Sequence, residues 1–134
     1  KVLAGLRAAK LPGVRFAGVK FRPKRPGDEK YPNTTVAGIR LTVTDRATYD
    51  PTATAVTMMA VIRAVHPSKL TWTPGQFDRL AGNSALRLAL SGGAAPGAAM
   101  EGWPAELQQF VVRSQSALIY PRSASMPGAS APAP

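Results

Sequence analysis

Apolar and polar residues alternate most clearly from Val36 to Val43, where Ile39, Leu41 and Val43 are interleaved with Arg40, Thr42 and Thr44. Period two predicts a strand with one buried and one wet face. Val14, Phe16, Val19 and Phe21 predict an earlier strand, with an irregularity near Gly18 where the alternation slips. Helical spacing takes over elsewhere. Val2, Leu3 and Leu6 predict a short helix within residues 1–10, ended by Pro12 and Gly13. Ala55, Met58, Met59, Ile62 and Val65 form one stripe, so 52–65 is predicted to be a helix packed on a core and stopped before Pro67.

Thr73-Pro74-Gly75-Gln76 has the form of a helix start, with Thr73 as cap, Pro74 in the first turn and Gln76 completing a capping box. Phe77 and Leu80 are its expected buried residues, and Gly82 its end. Asn83 is expected to cap a further helix carrying Leu86 and Leu90 inward, ended by Gly92 and Gly93. Residues 96–116 are helical in pattern, broken at Gly102-Trp103-Pro104, with Leu107, Phe110 and Val111 as the later stripe. Ala117–Tyr120 reads as a final short strand. The sum is an α+β fold: a small sheet packed with several helices on one side. A single domain is expected over 1–121, followed by a disordered Ser/Pro/Ala-rich tail over 122–134.

Between the first strands lies a proline-rich loop, residues 22–35, with three prolines and a glycine before the threonine pair. Proline removes backbone donors, so no regular element is expected, and a loop this long in a small domain is more often functional than not.

Charge adds to this picture. The net charge is +10, and eight of the 17 basic residues precede the first acid, Asp28. These cations are spaced among apolar residues, as on a solvated face; the sharper reading is attraction to an acidic partner, a wall polymer or a lipid surface. Arg22, Lys24 and Arg25 sit in or beside a loop that cannot bury them cheaply, and are the expected contact residues. Phe16 and Phe21 fall in an alternating strand and read as core, so the pattern does not favour a stacking platform for nucleic acid.

Cysteine is absent and His66 is the sole histidine, which excludes disulfides and Cys- or His-rich metal sites; no metal or cofactor is expected. His66, where a helix ends, reads as a surface or capping residue. No apolar run is long enough for a membrane helix. The chain opens at Lys1 with no secretory signal, which suggests a processed product or a fragment. Glycoside hydrolysis generally uses two carboxyl groups flanking the bond. The seven acids are scattered over loop, strand end and helices, and nothing pairs two of them, so no catalytic residue is assigned. Asp45 is the most suggestive, lying just past a strand end, with a turn formed with Arg46 and Thr48 as the plainer reading.

Taken in order, the segments Leu11-Pro-Gly-Val-Arg-Phe16, Phe21-Arg-Pro, Pro26-Gly-Asp-Glu-Lys-Tyr31, Gly38-Ile-Arg-Leu-Thr-Val-Thr-Asp-Arg46, Phe77-Asp-Arg-Leu-Ala-Gly82, Trp103 to Phe110 and Leu118-Ile-Tyr-Pro121 resemble the C-terminal part of the NamZ-type exo-β-N-acetylmuramidases. One departure is Val36, where family members commonly have cysteine. The resemblance implies a non-catalytic accessory domain of a peptidoglycan hydrolase, periplasmic or extracellular. It implies that the catalytic acid belongs to a Rossmann-like N-terminal domain absent from this sequence, with the cleft between the two. In that setting Lys30-Tyr31 and Asp45-Arg46 would form this domain's wall: Tyr31 stacking on a sugar, Lys30 and Arg46 binding carboxylate or lactyl oxygens of muropeptide sugars. The other reading is a binding or scaffold subunit that docks its basic N-terminal third on an acidic protein surface within a larger assembly, membrane-associated or not.

Overall fold

The structure, a computed structural model, describes residues 1–120. In chain order it has α1 (Val2–Ala8), β1 (Val14–Phe21), β2 (Val36–Val43), α2 (Pro51–Val65), α3 (Pro74–Ala81), α4 (Ala85–Ser91), α5 (Pro96–Ala99), α6 (Trp103–Ser114) and a 3₁₀ turn at Gln115–Ala117. The fold is α+β. It divides into two compact units, one of Lys1–Ala99 and one beginning at Met100. The tail expected over 122–134 lies outside the described residues.

In the first unit β1 and β2 form an antiparallel ribbon, paired from Val14↔Val43 to Phe21↔Val36 without interruption. The irregularity expected near Gly18 is therefore absent. Val14, Phe16 and Gly18 share one face with Val43, Leu41 and Ile39, while Val19 and Phe21 lie on the other. The slip in the pattern is a change of face. Gly18 lies under α1: a Cβ there would sit 3.4 Å from Leu3 Cδ2. Phe21 covers Gly38 on the opposite face and is half exposed.

Helix α1 packs on β1 and on α2, and α2 also meets α4 and α5. The core runs through these layers as Leu6, Phe16, Val56, Leu86 and Leu90. Having neighbours on several sides, α2 buries Thr54, Val56 and Thr57, whereas Ala55 from the expected stripe is exposed and Met58, Met59, Ile62 and Val65 are half-buried. Thr54 tolerates burial because its hydroxyl donates to the Asp50 carbonyl at 2.7 Å. Asp50 caps the helix by accepting from Ala53 N–H at 2.8 Å. His66 is the exposed C-cap, as expected.

Helix α3 corrects two expectations. Thr73 makes no side-chain cap bond, so the capping box does not form. Leu80 is 79% exposed. Asp78 pairs with Arg87 of α4 through two 2.8 Å hydrogen bonds, which turns the Phe77–Asp78 side toward α4 and Leu80 away. Phe77 is half-buried, edge-on to Trp72 with ring centroids 4.8 Å apart. Gly82 ends α3 at φ +87°, and the Asn83 side chain accepts from Ala85 N–H at the start of α4.

In the second unit α6 begins at the expected break, and Leu107 and Phe110 of its stripe are exposed while Val111 is half-buried. The strand expected at Ala117–Tyr120 does not form: 115–117 is a 3₁₀ turn and 118–120 has no ladder partner. A strand without a pairing edge leaves its backbone groups unsatisfied, so short apolar content alone does not make one.

Candidate functional site

The loop between β1 and β2 is held from its base. Arg22 Nε donates to the Asn33 carbonyl, and Asn33 N–H donates back to Pro23 O at 2.9 Å. The loop contains two tight turns, closed by Glu29 N–H to Pro26 O at 3.0 Å and Thr34 N–H to Tyr31 O at 3.2 Å, the second of which includes Asn33. Asp28 Oδ1 accepts from Lys30 N–H at 3.2 Å. Arg25, Glu29, Tyr31 and Asn33 all adopt positive φ, between 52° and 57°. For side chains other than Gly and Asn this region is disfavoured, so the loop holds Tyr31 in a conformation that its own residue type resists. Tyr31 as a whole is 66% exposed. Lys24, Arg25 and Lys30 are exposed and make no side-chain hydrogen bond or ion pair among the described residues. Arg22, expected as a contact residue, spends its Nε on the loop base instead.

Asp45 and Arg46 lie past the other end of the ribbon. The hairpin register puts Phe21 and Val36 beside the loop and Val14 and Val43 beside Asp45. Eight paired positions at strand spacing extend roughly 23 Å. The structure thus brings Lys24, Arg25, Lys30 and Tyr31 together on one loop and sets Asp45 and Arg46 at the opposite end of the ribbon.

Asp45 is fully engaged in its own turn. Oδ1 accepts from Ala47 N–H and Oδ2 from the Thr48 hydroxyl, both at 2.9 Å. The Ala47 N–H first, and then the Thr48 hydroxyl, hold its carboxyl below the usual aspartate range. These bonds favour its ionised form and tie the carboxylate to the turn. Arg46 beside it is exposed. The turn closes on Gly13, whose carbonyl accepts from Thr44 and Asp45 N–H at 2.8 and 3.3 Å.

Two further acids have structural partners. Asp50 caps α2 and Asp78 is paired to Arg87, whose guanidinium hydrogen bonds lower its carboxyl pKa. No cluster of three or more His, Cys, Asp or Glu residues able to hold a metal occurs among the described residues. One feature escaped the sequence reading. Arg63 of α2 lines a groove of about 430 Å³ together with the end of α4 and the turn into α5. In sequence it is the one charged residue of α2, with no spacing signal to mark it.

Comparison with known proteins decides the family. A match to the family described as "Exo-beta-N-acetylmuramidase NamZ, C-terminal" covers residues 1–120. The chain belongs to this family. The peptidoglycan beta-N-acetylmuramidase NamZ of Bacillus subtilis strain 168 is 30% identical over 116 residues, which is 86% of this chain and 27% of that protein. The crystal structure of a DUF1343 family protein from Bacteroides fragilis superposes with a TM-score of 0.73 at 17% identity, over 90% of this chain and 32% of that one. The fold is therefore shared with that protein. The chain spans about a quarter of the length of the curated NamZ relative. The order of segments that suggested the NamZ family in the sequence corresponds to one continuous match from the first residue to the end of the described chain.

Proposed function

We propose that this NamZ-type domain is the non-catalytic accessory part of an exo-acting peptidoglycan N-acetylmuramidase, and that its proline-rich loop forms part of one wall of the substrate cleft. The observation that carries the reading is the left-handed backbone at Tyr31: a large exposed ring held where glycine would be cheaper is kept for what it touches. Tyr31 supplies an aromatic face for a sugar ring, and Lys30, Lys24 and Arg25 supply cations for the carboxylates of muropeptide sugars. Asp45 shapes its turn, and Arg46, at the far end of the ribbon, serves a separate contact. The setting that goes with this chemistry is the cell wall, periplasmic or extracellular. The catalytic acid belongs to the larger remainder of such an enzyme, the Rossmann-like portion, and Lys24 and Arg25 are equally suited to dock on an acidic protein surface there.

The test is titration of the isotopically labelled chain with muropeptide sugars. Saturable shifts of amides 24–34 are expected. Tyr31→Gly should fold at least as stably, by up to about 1 kcal/mol from relief of left-handed strain, and should lose the shifts. Shifts that persist unchanged in Tyr31→Gly would remove the ring from the binding surface.

A further inference from the structure

The ribbon has two outer edges, and the two are not alike. Antiparallel strands exchange hydrogen bonds at every second pair, and the residues between direct N–H and C=O away from the partner strand. Thr44 N–H donates to Gly13 O at 2.8 Å, one step beyond the Val14↔Val43 pair. Counting from there, Arg15, Ala17, Val19 and Phe21 bond across to β2, so Phe16 on β1 and Ala37, Ile39, Leu41 and Val43 on β2 turn their backbone groups outward. The edge of β1 is flanked by α1, and Arg7 Nε of that helix donates to the Phe16 carbonyl at 3.2 Å. β2 meets β1 alone in substantial contact, and none of its outward groups has a partner among the described residues. Ala37, Arg40, Thr42 and Val43 are exposed along it. An eight-residue edge without proline and without a bulge in its register lacks two of the features that blunt strand pairing.

Charge selects what such an edge accepts. β1 and β2 together carry Arg15, Lys20 and Arg40 and no acid. Arg40 and Thr42 alternate with the outward-facing residues, at positions where the side chains of an added antiparallel strand come closest, about 4.5 Å between Cα atoms. A second copy of β2 laid along the edge would set another cationic strand, on a chain of net charge +10, against Arg40. A carboxylate placed there is attracted instead. We infer that the outer edge of β2 is a docking edge for an extended acidic peptide segment, which joins the ribbon as a third strand, exchanges backbone hydrogen bonds with Ile39 and Leu41 and sets a carboxylate opposite Arg40. The other face of the segment follows Ile39 and Leu41, which are half-buried, so apolar residues alternate with its acids. This assignment does not rest on the muramidase reading, and it uses none of the loop residues named there.

The experiment measures amide hydrogen exchange of the labelled wild-type chain during titration with Ac-Glu-Val-Glu-Val-Glu-Val-Glu-amide. In the free chain the Gly38 and Arg40 N–H groups are held by β1 and should exchange slowly, while those of Ile39 and Leu41 should exchange fast. Saturating peptide should slow Ile39 and Leu41 at least about tenfold and leave Ala47, in the turn past the strand, unchanged. The same peptide with lysine for glutamate should protect neither amide. Nor should a peptide with N-methyl valines, which keeps the acids and loses the backbone donors that face β2. Arg40→Ser, at an exposed position, should weaken binding of the acidic peptide about two- to fivefold. The assignment is overturned by no protection of Ile39 and Leu41, by equal protection from the lysine or N-methylated peptide, or by unchanged affinity of a folded Arg40→Ser. Protection that rises with protein concentration in the absence of peptide also overturns it, and gives the edge to a second copy. The wild-type titration stands even if Arg40→Ser fails to fold.

Discussion

Single residues set the two ends of the ribbon, and Gly13 is the most constrained of them. It adopts φ +67°, and a Cβ there would meet Asp45 O at 2.5 Å and Tyr49 N at 2.6 Å, both backbone atoms that cannot step aside. Gly13→Ala is therefore expected to destabilise the chain by about 2–4 kcal/mol, adding left-handed strain to a backbone clash, read from urea denaturation midpoints. A change within about 0.5 kcal/mol would mean the turn relaxes without cost. Asp45, bonded to the same turn, gives a pH signature. Its pKa is lower folded than unfolded, so its contribution to stability is full above the unfolded value of about 3.9 and is lost as pH falls through the lower folded one. The stability difference between wild type and Asp45→Asn should thus be larger at pH 7 than at pH 2.5. An equal difference at both would show that the carboxylate does not hold the turn.

Elements are decided by their neighbours. α3 meets α4 alone among the helices with substantial contact, so an eight-residue helix that could have turned either flank inward is oriented by the Asp78–Arg87 pair. Leu80→Ala should accordingly change stability by no more than about 0.5 kcal/mol. Leu90→Ala, at a side chain only 1% exposed, should cost about 2–5 kcal/mol. Equal losses at the two positions in thermal or urea melts would contradict this placement of α3. The same reasoning explains α2. One stripe suffices for a helix on a single surface, whereas α2 meets α1, α4 and α5 and buries threonines outside the expected stripe.

For the molecule as a whole, charge and family membership carry the expectations. The net charge of +10 is far from zero, and the exposed Lys24 and Arg25 make no side-chain bond among the described residues. Lys24→Ser with Arg25→Ser should leave the melting temperature nearly unchanged, since neither side chain supports the fold. The double variant should bind an acidic partner surface more weakly at low salt, the difference closing as salt screens charges beyond about 8–10 Å. Equal affinity of both proteins at low salt would leave these cations with solubility alone. The scattered acids, occupied by caps and turns or paired to arginine where their partners are defined, lead to a further expectation: the purified chain releases no N-acetylmuramic acid from a chromogenic muramide. Release above the buffer blank would place a catalytic acid within this domain.

The sequence by itself determined the order and type of most elements, because each signal is local. Alternation over Val36–Val43, the Pro12-Gly13 break, the Gly82 stop and the Leu86/Leu90 spacing depend only on nearby residues and on backbone sterics. The ordered segments also sufficed to place the chain in the NamZ family, since that inference needs succession and not distance. Tertiary structure alone decided which faces are covered. Leu80, Ala55 and the 117–120 segment followed local rules and still ended exposed or unpaired, because burial and strand pairing require a second element in reach. It alone separated Lys30-Tyr31 from Asp45-Arg46, since fifteen residues of sequence become the length of a ribbon once a hairpin is extended. And it alone buried the Arg63 Nε where no acceptor lies among the described residues, which nothing in the spacing of α2 announces.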